Sequence, residues 1–386
     1  MYLRRLNLAT LLEHKSHFLF GPRSTGKTTL IEQQLSSCRM YDLLDNDVFV
    51  RLARSPKILE EENRVDPKLI VIDEIQKLPK LLDEVQRLIR KYNWRFLMTG
   101  SSARKLKGGG ANMLGGRAWE ARMFPLTSVE INGFNLSKYL NHGGLPHIYD
   151  SSMAEIELKN YTNIYLREEI ASEGLVKNYE YFMNFLDVIA LTNGQELNFE
   201  SIARDAGVPP RTVQNYVQIL EDTLMAYQLK PFQRTKRRKS ISKSKIFLFD
   251  VGLANFIAKR GEIIEGSAAF GSAFEHFIIN EIYAYLSYSG HDPRKVGPTY
   301  WRSVDQHEVD CLIADEIAIE IKSTSFVRND HCKGLVALKQ ENIFKKFLIV
   351  SNDPAPRDLD NGIRVLPWKL FLEILWAGDL YPLHGS

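Results

Sequence analysis

The stretch HFLFGPRSTGKTT, residues 17–29, limits the possible folds of this chain more than any other segment. Its apolar beginning predicts a strand, its end predicts a helix, and Gly21-x4-Gly26-Lys27-Thr28 between them has the spacing of a P-loop, or Walker A motif. In such a loop backbone N–H groups face the phosphates, the lysine reaches the terminal phosphates, and the threonine hydroxyl ligates magnesium. The residues predicted to bind ATP and Mg²⁺ are Gly21, Pro22, Arg23, Ser24, Thr25, Gly26, Lys27, Thr28 and Thr29.

The apolar segment LIVIDE, residues 69–74, ends in two carboxylates. Ligands of parallel α/β sheets bind at the carboxyl ends of the strands, so Asp73 is predicted to hold magnesium, directly or through water. Glu74 follows in the position of a general base that polarises the attacking water. A surface pair that caps the next helix is the alternative interpretation. The P-loop upstream favours the catalytic one.

Two later segments add candidates for the same centre. RFLMTGSSA ends in Thr99, Ser101 and Ser102, hydroxyls that can sense a γ-phosphate, although an ordinary polar strand end fits each of them as well. Arg117 follows two glycines and precedes a fifth predicted strand. Such an arginine can stabilise transition-state charge across a subunit interface. The predicted catalytic residues are Lys27, Glu74, Thr99 and Arg117.

The order of apolar runs predicts how the chain is organised. Up to about residue 126 five candidate strands, HFLFG, YDLLD, LIVIDE, RFLMTG and WEARMFPL, alternate with helical stretches, which is typical of a parallel α/β sheet. A helical, tyrosine-rich stretch follows, then a compact helical unit that ends in a basic run, then mixed strands and helices. The predicted domains are a core at 1–130, a helical lid or connector at 131–192, a third unit at 193–245 and an α/β domain at 246–386.

The third unit has helix-turn-helix spacing. In NFESIARDAGVPPRTVQNYVQILEDT, apolar or small residues recur at helical intervals around Gly207 at the turn, and the second helix is predicted to begin near Pro209 or Pro210. The open face of that helix would carry side chains that can donate to phosphates or base edges. These are Arg211, Gln214, Asn215 and Gln218.

A basic run, RTKRRKSISKSK, follows at residues 234–245 and contains no acid. Each contact of such a run with a phosphate would add to the salt dependence of DNA binding. A protein partner is the alternative, because winged helices also serve as protein-contact modules and charge runs are often merely solvated. The two features together favour DNA. The predicted DNA contacts are Arg211, Gln214, Arg234, Lys236, Arg237, Arg238 and Lys239.

The segment EVDCLIADEIAIEIK, residues 308–322, predicts a hairpin. If residues 314–316 form its turn, Ile313 opposes Ile317 and Asp310 opposes Glu320. Alternation then places Glu308, Asp310, Glu320 and Lys322 on one face, and Val309, Cys311 and Ile313 on the other with Ile317, Ile319 and Ile321. Two facing carboxylates repel, so a cation between them, magnesium or the Lys322 ammonium, would relieve the cost.

Together with Glu275 in GSAFEHFIINEIYAYL, this hairpin resembles a PD-(D/E)xK nuclease site. Glu275, Asp310 and Glu320 are then predicted to hold a second Mg²⁺ or Mn²⁺, with Lys322 steadying the attacking water or the pentavalent phosphate. Val309 stands where the motif name has proline. Because nuclease-like folds can lose catalysis and keep the scaffold, both cutting and gripping of DNA stay open.

Composition limits the classes of protein. The 386 residues are 44% hydrophobic with a formal net charge of +3, which fits two to three compact domains whose nucleic-acid contacts would come from local patches. Three cysteines without metal-type spacing argue against a disulfide framework and a zinc site. No signal peptide is recognised, and no uncharged apolar stretch approaches the roughly 20 residues of a membrane span. A soluble, cytoplasmic protein without a membrane partner is expected.

The motifs together resemble those of bacterial and archaeal AAA-superfamily ATPases that carry a C-terminal domain of unknown function, built from a winged helix and a nuclease-like fold. Beyond the P-loop and LIVIDEIQKLP, the matching stretches are LMTGSSARKL, LGGRAWE, FPLTSVE, GGLP, FLFDVGL, GSAFEHFIINE and EVDCLI…IEIK. The implied fold is α/β: an AAA-type parallel sheet, a helical connector, a winged helix-turn-helix and a C-terminal α/β nuclease-like domain. The resemblance also implies the strand order 5-1-4-3-2 and a homo-oligomer, such as a hexamer, in which Arg117 acts in trans, with Arg104 and Arg122 as rivals.

The expected function is that of an ATP-hydrolysing, DNA-binding motor or remodelling protein of helicase or branch-migration type, whose nuclease-fold domain grips or cuts DNA. One alternative is a nucleotide-switched protein-interaction module with an inert nuclease fold. Another is a metal-dependent DNA nuclease that ATP gates. Salt-sensitive DNA binding distinguishes the first alternative from the expected function.

Overall fold

A computed structural model describes residues 2–65, 69–102, 114–165, 176, 178–291 and 296–381. Its first strands are β1 (Ser16–Phe20), β2 (Arg39–Asp42), β3 (Ile70–Asp73), β4 (Phe96–Gly100) and β5 (Ala118–Arg122). Within the described residues they form one sheet in the order β2-β3-β4-β1-β5, with parallel pairings. The strand order 5-1-4-3-2 is therefore confirmed.

Helices pack on this sheet. They are α1 (Leu8–His14), α2 (Lys27–Gln34), α3 (Asn46–Arg54), α4 (Ile58–Asn63) and α5 (Leu81–Tyr92). In α5 the buried side chains Leu81, Val85 and Leu88 recur at intervals of three and four residues, so one stripe of the helix faces the core. β1 and β3 are buried along their whole lengths, as expected of strands covered on both faces.

The second strand begins at Arg39 and ends at Asp42, whereas the predicted strand YDLLD covers residues 41–45, so the predicted limits of that strand were wrong. Asp45 explains the difference. Its Oδ1 accepts the backbone N–H groups of Asp47, at 2.8 Å, and Val48, at 3.4 Å, and so caps the start of α3. A residue that caps a helix in this way does not continue the strand.

The middle of the chain is helical. Its helices are α6 (Leu136–His142), α7 (Pro146–Tyr149), α8 (Ala154–Asn160), α9 (Tyr179–Leu191), α10 (Phe199–Ala206) and α11 (Pro210–Asp222). α10 and α11 are the two helices predicted around Gly207, whose φ of 69° is the left-handed conformation that glycine favours after a helix. Pro210 begins α11, where its missing N–H has no helical partner to lose. Side chains of α9, α10 and α11 share one apolar cluster.

The remaining strands are β6 (Ala226–Pro231), β7 (Lys245–Leu248), β8 (Thr299–Arg302), β9 (Glu308–Ile313), β10 (Ile317–Lys322), β11 (Lys346–Ser351), β12 (Arg357–Asp358) and β13 (Arg364–Pro367). In the described part of the chain they form one sheet in the order β12-β13-β11-β10-β9-β8-β6-β7. β6 pairs with β7 and, through Lys230 and Pro231, with β8. Strands on both sides of residue 245 therefore belong to the same sheet.

A 21-residue helix runs through the C-terminal half. The helices there are α12 (Val251–Ile257), α13 (Ala268–Tyr288), α14 (Lys333–Lys339) and α15 (Trp368–Ala377). The long helix α13 buries Phe274, Phe277 and Ile278 in a cluster that also contains Tyr139 of α6 and Ile319 of β10. It therefore packs against both the connector and the second sheet. Among the described helices, none combines the length and apolar character needed to cross a bilayer.

β9 and β10 form the predicted hairpin. Ile313 pairs with Ile317 and Cys311 with Ile319, so the predicted register is confirmed. The predicted face of Val309 was wrong, because this residue packs with Leu312 and not with Cys311 and Ile313. The pairing of β9 with β8 shifts there, so that β9 holds one extra residue between Val309 and Leu312. Such a bulge reverses the alternation of side chains.

Candidate functional site

The predicted phosphate-binding loop connects the end of β1 to the start of α2. Gly26, with φ of 92°, has a backbone conformation that favours glycine, and a Cβ atom on Gly21 would lie 2.6 Å from the carbonyl oxygen of Met123. The Lys27 ammonium donates to the carbonyl oxygens of Gly21, at 2.7 Å, and Pro22, at 3.1 Å. The two glycines thus allow the tight turn and the close packing. The Lys27 side chain lies against the backbone of the predicted phosphate-binding loop.

Two predicted residues, Thr28 and Thr99, contact the carboxylate of a third, Asp73. The Thr28 hydroxyl donates to Oδ2 at 3.1 Å, and the Thr99 hydroxyl donates to Oδ1. These contacts arise because β4 lies between β1 and β3, so that parallel strands end side by side. A hydroxyl and a carboxylate are the hard oxygen ligands that Mg²⁺ prefers, so the predicted magnesium pair fits the ion.

Glu74 follows β3 in a left-handed conformation, with φ of 56°. For a residue other than glycine this costs on the order of 1 kcal/mol, and such conformations occur at functional sites. Its N–H donates to the Thr99 hydroxyl at 3.2 Å, and its carboxylate accepts a hydrogen bond from Gln76, which also donates to Ser101 at 3.3 Å. Gln76 was not predicted, although it lies two residues after Glu74 in the short 3₁₀ helix Ile75–Lys77.

Arg117 and Arg122 lie at opposite ends of the same strand, β5. Arg117 directly precedes Ala118, which pairs with Ser16 at the start of β1, whereas Arg122 pairs with Phe20, where the P-loop begins. Four residues of strand separate these two pairs by about 13 Å. Arg117 therefore lies away from the nucleotide edge of its own sheet, and Arg122 lines a cavity there with Pro22 and Leu224. Arg104 lies outside the described residues.

Buried polar contacts that the sequence did not reveal connect the P-loop to the rest of the chain. Arg4 donates to the carbonyl oxygens of Thr25, at 3.0 Å, and Phe124, at 2.6 Å, and pairs with Glu130 at 3.1 Å. The Arg4 Nη2 that donates to Phe124 also lies 3.1 Å from the Tyr288 hydroxyl on α13. The N-terminus thereby connects the P-loop to the long helix of the C-terminal half.

A second contact connects the sheet edge to α11. The Ser102 hydroxyl, just beyond β4, donates to the backbone carbonyl of Asp222, the last residue of α11, at 3.1 Å. Leu224, after α11, packs against the apolar cluster of the first sheet. The second helix of the helix-turn-helix thus rests on the edge where Asp73 and Thr99 meet. Its predicted open face is exposed at Arg211, Gln214, Asn215 and Gln218.

The basic segment, residues 234–243, is anchored on the C-terminal half. The Glu341 carboxylate accepts the backbone N–H groups of Lys236, Arg237 and Arg238 at 2.8, 2.9 and 3.1 Å. Arg234 pairs with Asp315, and the Arg238 side chain donates to the carbonyl oxygen of Ala337 and to Gln340. Among the predicted contacts in this segment, Arg234, Lys236, Arg237 and Lys239 are exposed, and Arg234 alone of these four is paired above with a carboxylate.

Lys245, which ends the basic run, does not share this exposure. Its side chain is 6% exposed, and its ammonium lies 3.1 Å from Glu275 Oε1 and 2.6 Å from Glu308 Oε1. The interpretation of Lys245 as part of a solvent-facing basic run was therefore wrong. Alternation along β7 turns this side chain inward, toward α13 and β9.

Lys245 lies within an acidic cluster, defined here as Glu275, Glu308, Asp310 and Glu320. Lys322 contacts the other two carboxylates of this cluster, with Nζ 2.5 Å from Glu320 Oε1 and 3.6 Å from Asp310 Oδ2. Asp310 also accepts the backbone N–H of Ile321 at 2.8 Å. Across the described ranges, no three His, Cys, Asp or Glu side chains are grouped to hold a metal ion. The predicted metal ligands Glu275, Asp310 and Glu320 are thus divided between two lysines.

Burial sets the protonation of this cluster. It raises the pKa of Glu275 to about 7 against the opposing effect of Lys245, and it raises the pKa of Glu320 well above its ordinary range, with Asp310 adding to the shift. Burial alone would lower the pKa of Lys245, but Glu275, Asp310 and Glu308 outweigh it and raise that pKa above its ordinary value. The carboxylates likewise raise the pKa of Lys322. Both lysines are therefore cations.

Comparison with known families agrees with this geometry. Residues 13–132 match the family described as "AAA domain". This part of the chain is thus similar to AAA domains. Residues 133–262 match one domain of unknown function, DUF8612, and residues 270–371 match another, DUF4143.

Relatives of the whole chain include an uncharacterized protein of Mycobacterium tuberculosis, 25% identical over 343 residues, which cover 84% of this chain and 75% of that protein. An uncharacterized protein of Haemophilus influenzae is 26% identical over 77% of this chain and 75% of its own length. One of Methanocaldococcus jannaschii is 23% identical over 92% of this chain and 84% of its own. These matches extend well beyond the AAA domain.

Among solved structures, the Aeropyrum pernix ORC1 protein in complex with DNA superposes with a TM-score of 0.26 and 14% identity, covering 66% of this chain and 91% of that one. A score this low supports no conclusion about this chain. The part that matches the AAA domain family contains every residue predicted to bind ATP and its magnesium. The acidic cluster lies in the part that matches DUF4143, whereas Lys245 reaches it from the part that matches DUF8612.

Proposed function

We propose that this chain hydrolyses ATP through its AAA domain and uses the nucleotide cycle to act on DNA, as a motor or remodelling protein of helicase or branch-migration type. The contact of Thr28, Asp73 and Thr99 at one strand edge, with Glu74 beside them, carries the proposal. Bound magnesium would neutralise phosphate charge at Thr28 and Asp73. Lys27 would hold the terminal phosphates, and Glu74 would take a proton from the attacking water.

Gln76 is a positioning residue in this proposal, because it donates to the Glu74 carboxylate. We expect Gln76→Ala to lower kcat for ATP about tenfold and to leave KM for ATP near wild type, since proton transfer depends on the placement of the base. Steady-state ATP hydrolysis measures both constants. Gln86→Ala, on α5 and outside this hydrogen-bond network, is the matched control. A rise in KM without a fall in kcat would show that Gln76 serves binding instead.

DNA binding is proposed for α11 and the basic segment. Helices α9–α11 with the β6–β7 pair have the element order of a winged helix, and the exposed polar face of α11 fits a groove-reading helix. Glu341 holds the backbone of the basic segment, so that Lys236 and Arg237 are presented outward at low conformational cost. The hydrogen bond from Ser102 to the Asp222 carbonyl connects α11 directly to the strand ends where ATP is proposed to bind.

Neutralising Lys236, Arg237 and Lys239 together should weaken DNA binding about equally for all sequences and flatten the slope of log affinity against log salt by up to about three units. The equivalent replacement of Lys57, Lys80 and Arg90, exposed cations of the AAA domain, is the matched control. Fluorescence anisotropy at several salt concentrations measures both. Unchanged affinity at low salt would favour the alternative in which this surface binds a protein.

A homo-oligomer, such as a hexamer, is proposed as the active form. Arg117 lies at the edge of the sheet away from its own P-loop, which supports a role toward the nucleotide of a neighbouring copy. Arg122, at the nucleotide edge, suits a contact within one chain. The C-terminal domain would grip DNA, and whether it also cuts depends on the acidic cluster.

A further inference from the structure

The acidic cluster gathers side chains from different elements around two ammonium groups, that of Lys245, which is buried, and that of Lys322, which is half-buried. Glu275 comes from α13, Glu308 and Asp310 come from β9, and Glu320 comes from β10. Lys245 bridges Glu275 and Glu308, at 3.1 and 2.6 Å, and Lys322 bridges Glu320 and Asp310, at 2.5 and 3.6 Å. The four carboxylates of the cluster thus share two ammonium groups, one for each pair.

The backbone and the ammonium group of Lys245 are both held in position by neighbouring residues. Lys245 begins β7 opposite Leu229 of β6, so the strand ladder fixes its backbone. Its ammonium lies 5.2 Å from the centre of the Tyr300 ring, a distance at which the ring face stabilises a cation. Burying a lysine is unfavourable unless partners compensate, and here Glu275, Glu308 and Tyr300 surround it.

Arg302 reinforces the same arrangement. Its Nη1 lies 2.7 Å from Glu196 and 3.6 Å from the second oxygen of Glu308. Glu308 therefore contacts one cation through each oxygen. A divalent ion would need such oxygens at about 2.0–2.6 Å and would meet the repulsion of the buried Lys245 ammonium and of the half-buried Lys322 ammonium.

We propose that Lys245 is the resident cation of the acidic cluster, that it takes the place a divalent metal would occupy between Glu275 and the β9 carboxylates, and that the cluster therefore excludes Mg²⁺ and Mn²⁺. Lys245 begins β7, the strand that follows the basic segment. The connection from β6 to β7 therefore supplies the exposed cations of the basic segment, and β7 supplies the buried cation of the cluster. Metal exclusion does not depend on DNA binding. Its consequence, that the domain grips DNA without cutting it, rests on the proposed function.

The test counts Mn²⁺ ions bound per chain, without nucleotide, by electron paramagnetic resonance. Wild type and Asp310→Asn should bind the same number, because the cluster of wild type holds none. Lys245→Met should bind one more ion per chain than wild type, and Mn²⁺ should raise its Tm. Lys245→Met combined with Glu275→Gln and Glu308→Gln lacks the two carboxylates that Lys245 bridges and should lose the added ion.

Two results would overturn the inference: an Mn²⁺ ion on wild type that Asp310→Asn removes, or a folded Lys245→Met that gains none. If Lys245→Met does not fold, the comparison of wild type with Asp310→Asn still decides. Mn²⁺-dependent cleavage of DNA by wild type that Asp310→Asn abolishes would equally contradict metal exclusion. Failure of ATP hydrolysis or of DNA binding would leave these ion counts unaffected, so the two proposals fail separately.

Discussion

Replacing Glu74 by glutamine is expected to lower the rate of ATP hydrolysis about 100-fold or more while ATP still binds. Glutamine keeps the size of the side chain and can still contact Gln76, but it cannot take a proton from water. Lys27→Ala should instead weaken ATP binding itself, because its ammonium lies against the loop at Gly21 and Pro22. Single-turnover hydrolysis and equilibrium binding of a fluorescent ATP analogue separate the two effects.

Glu84→Gln, on α5 and away from the P-loop, serves as the control for loss of one glutamate charge. Full turnover in Glu74→Gln would remove this residue from the role of base. Loss of ATP binding in the same variant would show that Glu74 supports the nucleotide and not the water.

Arg117→Ala is expected to reduce hydrolysis roughly 10³-fold, as removal of an arginine that stabilises transition-state charge does in other nucleotide hydrolases, without preventing ATP binding. Arg117 lies at the far edge of its own sheet, so the charge it stabilises would belong to a second copy. Mixing Arg117→Ala with Lys27→Ala protomers should then restore part of the activity, because a pair can combine an intact P-loop with an intact arginine.

Arg122→Ala provides the comparison within one chain, since Arg122 lies at the nucleotide edge. Mixed with Lys27→Ala it should give no rescue if it acts in cis. Absence of rescue for Arg117→Ala at every mixing ratio, or a strictly monomeric protein in ATP, would contradict an arginine that acts between subunits.

The first sheet could be predicted from sequence because its signals are local. The P-loop spacing and the apolar run before Asp73 both depend on neighbouring residues, and these strands lie where they were expected. The second strand was misplaced because Asp45 competes for its end as a helix cap. The hairpin register followed from turn length and alternation.

Contacts between distant residues were not predictable in this way. The side-chain face of Val309 depends on a bulge against β8, a strand whose pairing the hairpin sequence does not reveal. Lys245 looked like one more member of a basic run, and only the packing of β7 beside α13 and β9 turns it inward. Arg4, 126 residues from Glu130, has no sequence signal that points to its P-loop contact.

The most direct test of the proposed function is the ATP hydrolysis rate of the wild-type chain with and without DNA, measured at low and at high salt. The account predicts that the chain hydrolyses ATP, that DNA accelerates the reaction at low salt, and that the acceleration fades as salt releases DNA from the basic segment. Absence of hydrolysis under all these conditions, or a rate that saturating DNA does not change at any salt concentration, would contradict it.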